Sequence, residues 1–189
     1  RGNNPSAKIV EEKLARVCGG DTAKLFASGM GAVSAVMLSC IEKGSHVVTI
    51  KNIYGPANNI LQSYFKPKFG IEITYISGTD IAEFEKAIQP NTTLIYLESP
   101  SSVILSLQDL KAVATLAKKQ NIKTAIDNTW ASPLFQHPLK LGIDFEIHSC
   151  SKYIGGHSDV VAGLVVGAKA GMESLFTKEF ELFGAKIAP

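Results

Sequence analysis

The segment Ser149-Cys150-Ser151-Lys152-Tyr153-Ile154-Gly155-Gly156 sets a lysine among hydroxyls, a thiol, an aromatic ring and glycines, with no following carboxylate until Asp159. A lysine in an apolar, phosphate-rich site can lose its proton and attack a carbonyl carbon to form a Schiff base. A single lysine is ordinarily a solvated surface charge, so Lys152 gains meaning only from its company. In an extended chain Ser149 and Ser151 share one face, and two neighbouring hydroxyls can bind phosphate oxygens; polar edge residues are the plain alternative. Ser28-Gly29-Met30-Gly31 follows an apolar run and opens a helix-like segment. Amides at a helix N-terminus can bind an anion, and glycines allow it to come close. An ordinary strand-to-helix turn would look the same.

Three further residues complete the set. Asp127 ends an apolar run, where a carboxylate can hold a cation or a ring N–H; Asp-Asn-Thr would also make a good turn cap. Tyr54 follows another apolar run and can stack on a flat ligand or move protons through its hydroxyl; alternatively it is a half-buried core tyrosine. His157 has no partners at metal-ligand spacing and reads as structural or supporting, so no metal is expected. A phosphate-binding turn, a stacking ring, a carboxylate for a ring nitrogen, two hydroxyls and a lysine together describe a pyridoxal phosphate site.

The elements that must position these residues alternate in type. Helical spacing marks residues 6–18, ending at Gly19-Gly20, then a helix after 28–31 to about 41, then 56–66, 80–88 with Asp80 as N-cap, 107–119 and about 171–183. Apolar runs at 24–27, 46–50, 71–76, 93–97, 123–127, 145–149 and 160–167 read as strands. Several are continuously apolar, as in strands buried on both faces. The alternation predicts one α/β domain, a mainly parallel mixed sheet with helices on both faces. In such sheets ligands bind beyond the carboxyl ends of the strands, which is where Ser28, Tyr54, Glu98, Asp127 and Lys152 fall.

Composition sets limits. The chain has 189 residues, 46% hydrophobic and 19% charged, with net charge +2. That is globular and too balanced to imply a nucleic-acid or membrane surface. The longest uncharged run, 25–41, is too short and too polar to span a membrane. Cys18, Cys40 and Cys150 are widely spaced, as expected of reduced thiols in a cytoplasmic protein. The S-G-M-G turn lacks the third glycine and the later acid of a dinucleotide fingerprint, so a nicotinamide cofactor is disfavoured. A phosphate- or nucleotide-binding α/β domain remains the alternative.

R-G-N-N-P-S, F-A-S-G-M-G-A, Y-G-P, E-S-P, D-N-T-W and S-C-S-K-Y-I-G-G-H-S-D, in this order, resemble the cysteine/methionine-metabolism (trans-sulfuration) family of pyridoxal-phosphate enzymes. The resemblance implies the large domain of the fold-type I, aspartate aminotransferase-like architecture. It also implies a carbon–sulfur lyase acting on a sulfur amino acid such as cystathionine, by β- or γ-elimination, with γ-replacement on an activated homoserine as the alternative. By resemblance, Lys152 forms the internal aldimine and shuttles protons, Asp127 pairs with the pyridine nitrogen, and Tyr54 stacks on the ring and helps protonate the leaving sulfur. The Ser28–Met30 turn, through the backbone of Gly29 and Met30, would hold the phosphate with Ser149 and Ser151. Arg1 would reach the phosphate in a neighbouring subunit of a homo-oligomer, dimer or tetramer, with shared active sites.

Two departures bear on the choice of reaction. Ser102 and Val103 stand where many relatives carry Asn-Pro, and Pro56 stands where methionine γ-lyases often have Cys. Pro56 tilts the expectation away from methionine γ-lyases, and the E-S-P-S-S pattern is similar to that of some bacterial β-lyases. Arg1 and Arg16 are the only arginines, so no arginine is left to clamp a substrate carboxylate bidentately. Residues 1–189 are therefore expected to form a single cofactor domain of a longer enzyme. The N-terminal arm and small C-terminal domain would lie outside it, and the piece alone would not turn over substrate.

Overall fold

A seven-stranded sheet carries the fold in the order β1-β7-β6-β5-β4-β2-β3. The structure is a computed structural model and describes residues 4–187. The strands are β1 (Thr22–Phe26), β2 (His46–Ile50), β3 (Glu72–Ile76), β4 (Thr92–Glu98), β5 (Lys123–Asp127), β6 (Phe145–Ser149) and β7 (Gly163–Gly167). β2 to β6 pair in parallel. β7 runs against both β6 and β1, so the sheet is mixed but mainly parallel, as the sequence predicted. Every residue of β2 and β7 is buried, as is most of β4, which is why these runs do not alternate.

The helices are α1 (Pro5–Cys18), α2 (Gly29–Cys40), α3 (Gly55–Ile60), α4 (Lys66–Phe69), α5 (Ile81–Ala87), α6 (Leu110–Lys119), α7 (Ser132–Phe135) and α8 (Lys169–Leu175). Strand alternation divides the core. Leu25, Leu164 and Val166 pack with Ala15 and Cys18 of α1. Phe26 and Val165 join the main cluster, which includes Val33, Val36 and Met37 of α2. Full burial of one such aliphatic side chain is worth about 1.5–3 kcal/mol. All three cysteines are free and buried. Burial pushes the Cys40 thiol up to about 11 and that of Cys150 to about 12.

Caps set most of the boundaries. Gly19 closes α1 in the left-handed conformation, and Asp80 caps α5 through its side chain, both as expected. Other boundaries differ. α6 begins at Leu110, not 107, because Asp109 accepts from the Ala112 amide as N-cap while the Gln108 amide turns to the Ser99 hydroxyl. The helix expected over 56–66 changes register through a π-turn at Leu61–Phe65, just before Pro67; proline has no N–H to donate four residues back. A second π-turn, Phe176–Phe180, continues α8. Val160 and Val161 are exposed and precede β7, which starts only at Gly163. Among the described residues no helix is long and apolar enough to cross a membrane.

Candidate active site

The carboxyl ends of β4 and β5 place Glu98 directly opposite Asp127. Both line a pocket of about 390 Å³ with Tyr54, Lys152, Thr129 and Trp130. Lys152 lies in the turn after β6, its amide donating to the Ser149 carbonyl at 3.2 Å. Its Nζ stands 5.1 Å from the centre of the Tyr54 ring. Tyr54 itself is 38% exposed, so its ring presents a face to the cavity rather than to the core. Trp130 meets Tyr153 edge-on at 5.7 Å across the mouth.

Asp127 has two duties. Its Oδ1 accepts from the Thr129 amide at 3.0 Å and from the Thr129 hydroxyl, which is the turn cap foreseen as the alternative reading. Oδ2 has no partner among the described residues and remains available to a ligand. The Thr129 hydroxyl in turn accepts from the Ser149 amide at 2.8 Å, joining the Asp127 turn to the end of β6.

Beside this junction sits the start of α2. Ser28 caps the helix, its Oγ accepting from the Gly31 amide at 3.0 Å. The Gly29 and Met30 amides precede any intrahelical acceptor, and both Ser28 and Ser151 keep a hydroxyl proton to donate, since Ser151 Oγ also only accepts, from the Ala162 amide at 3.2 Å. A Cβ on Gly29 would stand 2.9 Å from Ser149 Cβ, so only glycine lets the helix start come this close to the β6 end. These residues form a cradle adjoining the pocket through Thr129 rather than part of its wall.

Sequence reasoning named Glu98 as a strand-end carboxylate but gave it no role. It is buried, accepts from the Tyr54 amide through Oε2 and from the Ser102 hydroxyl at 2.6 Å through Oε1. Burial holds its carboxyl above the usual range; the Ser102 and Tyr54 hydrogen bonds and the Lys152 charge oppose this, while the Asp127 charge adds to it. Thr129 and Trp130 were likewise unassigned. His157 is exposed, and its one hydrogen bond among the described residues is to the Gly155 carbonyl, at 3.3 Å. Arg16 is exposed on α1 and absent from the pocket lining, and Arg1 lies outside the described residues. Away from the pocket, the buried Cys18, Glu146 and His148 bring three ligand-type atoms within 4.8 Å of one another, a proximity their sequence spacing does not show.

A family model described as "Cys/Met metabolism PLP-dependent enzyme" matches residues 1–189. The chain belongs to this family. Pyridoxal phosphate is the cofactor of the Cys/Met metabolism enzymes. Among curated proteins, the chain is 42% identical to the cystathionine beta-lyase MetC of Staphylococcus haemolyticus, over 88% of this chain and 42% of that protein. It is 40% identical to an L-methionine gamma-lyase of Porphyromonas gingivalis, over 98% of this chain and 45% of the relative. It is 41% identical to a cystathionine gamma-lyase of Bacillus subtilis, over 89% and 44%. The crystal structure of metB from Corynebacterium glutamicum superposes with a TM-score of 0.94 at 36% identity, covering 98% of this chain and 48% of that one. The chain thus spans a little under half the length of these relatives.

The residues present fit the cofactor. Glycine at position 29 lets the start of α2 approach the end of β6, where the free helix amides and the Ser28 and Ser151 hydroxyls lie. Asp127 has an unpaired oxygen in the pocket, and an amine and an aromatic face lie beside it.

Proposed function

We propose that the full-length gene product is a carbon–sulfur lyase that cleaves a sulfur amino acid such as cystathionine. The observation that carries this reading is the placement of Lys152 Nζ against the Tyr54 ring in the pocket that Asp127 enters from β5. When bound, pyridoxal phosphate supplies an electron sink that stabilises negative charge at the substrate Cα. The chain's residues do the rest. Lys152 Nζ would hold the cofactor and take the proton from the substrate Cα. Asp127 holds the ring N–H by its second oxygen, which keeps the ring electron-poor. Tyr54 stacks on the ring, and its hydroxyl delivers a proton to the leaving sulfur. The Gly29 and Met30 amides with the hydroxyls of Ser28, Ser149 and Ser151 hold the phosphate. Arg1, outside the described residues, is assigned to the phosphate in an adjacent subunit.

Elimination, β or γ, is proposed ahead of γ-replacement. Among elimination enzymes, Pro56 argues against a methionine γ-lyase, and Ser102, whose hydroxyl is bonded to Glu98 beside the pocket, sets the chain apart from relatives with Asn at that position. A homo-oligomer with shared sites is supported by the exposure of Leu134 and Phe135, 77% and 83%, next to the pocket mouth. The free, buried cysteines support a reducing, cytoplasmic location. The test is an assay of the full-length gene product on cystathionine, methionine and cysteine, following thiol and 2-oxo acid release. Cleavage of cystathionine that is lost in Lys152→Ala supports the reading. Absence of any carbon–sulfur cleavage contradicts it.

A further inference from the structure

Directly behind the pocket runs a chain of buried polar side chains. Gln136 Nε2 donates to the Ser99 carbonyl at 2.7 Å and to Asn128 Oδ1 at 2.8 Å. Asn128 Nδ2 donates to Glu146 Oε1 at 2.7 Å, and His148 Nε2 reaches the same oxygen at 2.8 Å. Asn128, Glu146 and His148 are at most 1% exposed. Each strand-end member adjoins a pocket or cradle residue: Ser99 follows Glu98 and Asn128 follows Asp127, with Glu98 and Asp127 both in the pocket wall, and His148 precedes Ser149 of the cradle. Successive residues of extended chain face opposite ways, so this chain is the reverse side of the pocket floor.

Glu146 stands at its junction. Its Oε1 serves two donors on two strand ends, while Oε2 is buried with no partner among the described residues. Cys18 Sγ, 3.9 Å from His148 Nε2, is the nearest group from α1, and burial followed by the Glu146 charge raises its thiol far above the usual range. A carboxylate here is a poor choice for stability alone, because apolar side chains of similar volume often serve as well as or better than buried polar and charged groups. What it supplies is a fixed span between β5 and β6.

We propose that Glu146 is a positioning residue for the cofactor: by tying Asn128 to His148 it fixes the separation between Asp127 and the Ser149 cradle. The proposal rests on the assignment of Asp127 and Ser149 to cofactor binding.

The test uses Glu146→Leu, which removes the shared acceptor, and Glu146→Gln, which keeps one, in the full-length gene product. Two quantities are read on the apoprotein: equilibrium affinity for pyridoxal phosphate, and hydrogen exchange of the Asn128 and Ser149 amides, which bond to the Ile147 carbonyl and the Thr129 hydroxyl. Glu146→Leu is expected to weaken affinity about 10-fold, as for one lost buried hydrogen bond, and to speed exchange at both amides. Glu146→Gln is expected to stay within about threefold of the parent. Parent-like affinity and exchange in Glu146→Leu, with only its melting temperature changed, overturn the proposal. So does Glu146→Gln failing as badly as Glu146→Leu. If Glu146→Leu does not fold, Gln136→Leu, at the half-buried end of the chain, is expected to weaken affinity in the same direction, and parent-like affinity there overturns the proposal. Asp127→Ala in parallel separates the two levels. If it weakens binding while Glu146→Leu does not, only the positioning role fails; if it too binds like the parent, the pocket assignment itself fails.

Discussion

Gly29→Ala puts one methyl group into the narrowest part of the proposed phosphate cradle. Its Cβ would stand 2.9 Å from Ser149 Cβ, 3.0 Å from Ser149 Oγ and 3.2 Å from Ser149 Cα. Carbon atoms rest at about 3.5–4.0 Å, so the start of α2 and the end of β6 must part by roughly 0.6–1 Å. Two of the three contacts involve atoms at or next to the backbone, which cannot rotate away. Overpacking of this kind costs about 1–3 kcal/mol. The groups displaced are those that hold the phosphate, so binding carries that cost. At 1.4 kcal/mol per tenfold, affinity should fall about 5- to 150-fold. The assay is titration of the apoprotein with pyridoxal phosphate, followed by visible absorbance, with thermal melting as the control for folding. A paired comparison sharpens it. Ser149→Ala and Ser149→Gly both lose the hydroxyl, but only Ser149→Gly removes the atom nearest the new methyl group. Gly29→Ala should therefore bind more tightly with Ser149→Gly than with Ser149→Ala. Parent-like affinity of Gly29→Ala, or the reverse order of the double variants, refutes the reasoning.

Two further predictions concern pH. The Glu98 carboxyl is raised in the fold, so the native state binds its proton more readily than the unfolded chain. That contribution is full below the ordinary carboxylate range and is lost as pH rises through the folded value. Glu98→Gln, which can still accept from the Tyr54 amide, should show a smaller loss of stability from acid to neutral pH by urea unfolding. His46 bridges Thr92 and Thr74 at 2.8 and 2.9 Å, and burial lowers it below the usual imidazole range, against the pull of Glu72. Its contribution is present at neutral pH and lost as pH falls below the unfolded value; His46→Gln should flatten the acid-side slope, and an unchanged slope would exclude His46 as its cause.

Local chemistry made much of this architecture legible. Short strand-like segments gave β2, β5 and β6 with their full extent, and caps at Gly19 and Asp80 marked helix ends. What failed was local too, but rested on competition between groups. Asp109 and Asp80 are the same residue type, yet the periodic run before Asp109 hid its cap, and the Ser99 hydroxyl that captures the Gln108 amide is remote in sequence. Val160 and Val161 are β-branched and apolar, but the neighbouring strand, β6, ends at Ser149 and gives them nothing to pair with.

At the site, residue type was enough to nominate Lys152, Tyr54 and Asp127, because amine, ring and carboxylate each suggest a chemical role. Glu98 lacked that signal. Its importance comes from standing opposite Asp127 across β4 and β5, and that requires the strand order. Glu146 was harder still, since its partners lie at positions 128 and 148 and only the pairing of β5 with β6 brings the first of these close. Thr129 matters as a bridge between Asp127 and Ser149, and a bridge is visible only when both banks are.

The central claim is that Lys152 exists to hold the cofactor. The most direct measurement is borohydride fixation of pyridoxal phosphate on the full-length gene product, followed by peptide mapping, with Lys152→Ala alongside. The account predicts one labelled peptide, carrying the cofactor on Lys152, and no site-specific label in the variant. Label scattered over surface lysines, or retained in Lys152→Ala, would contradict it.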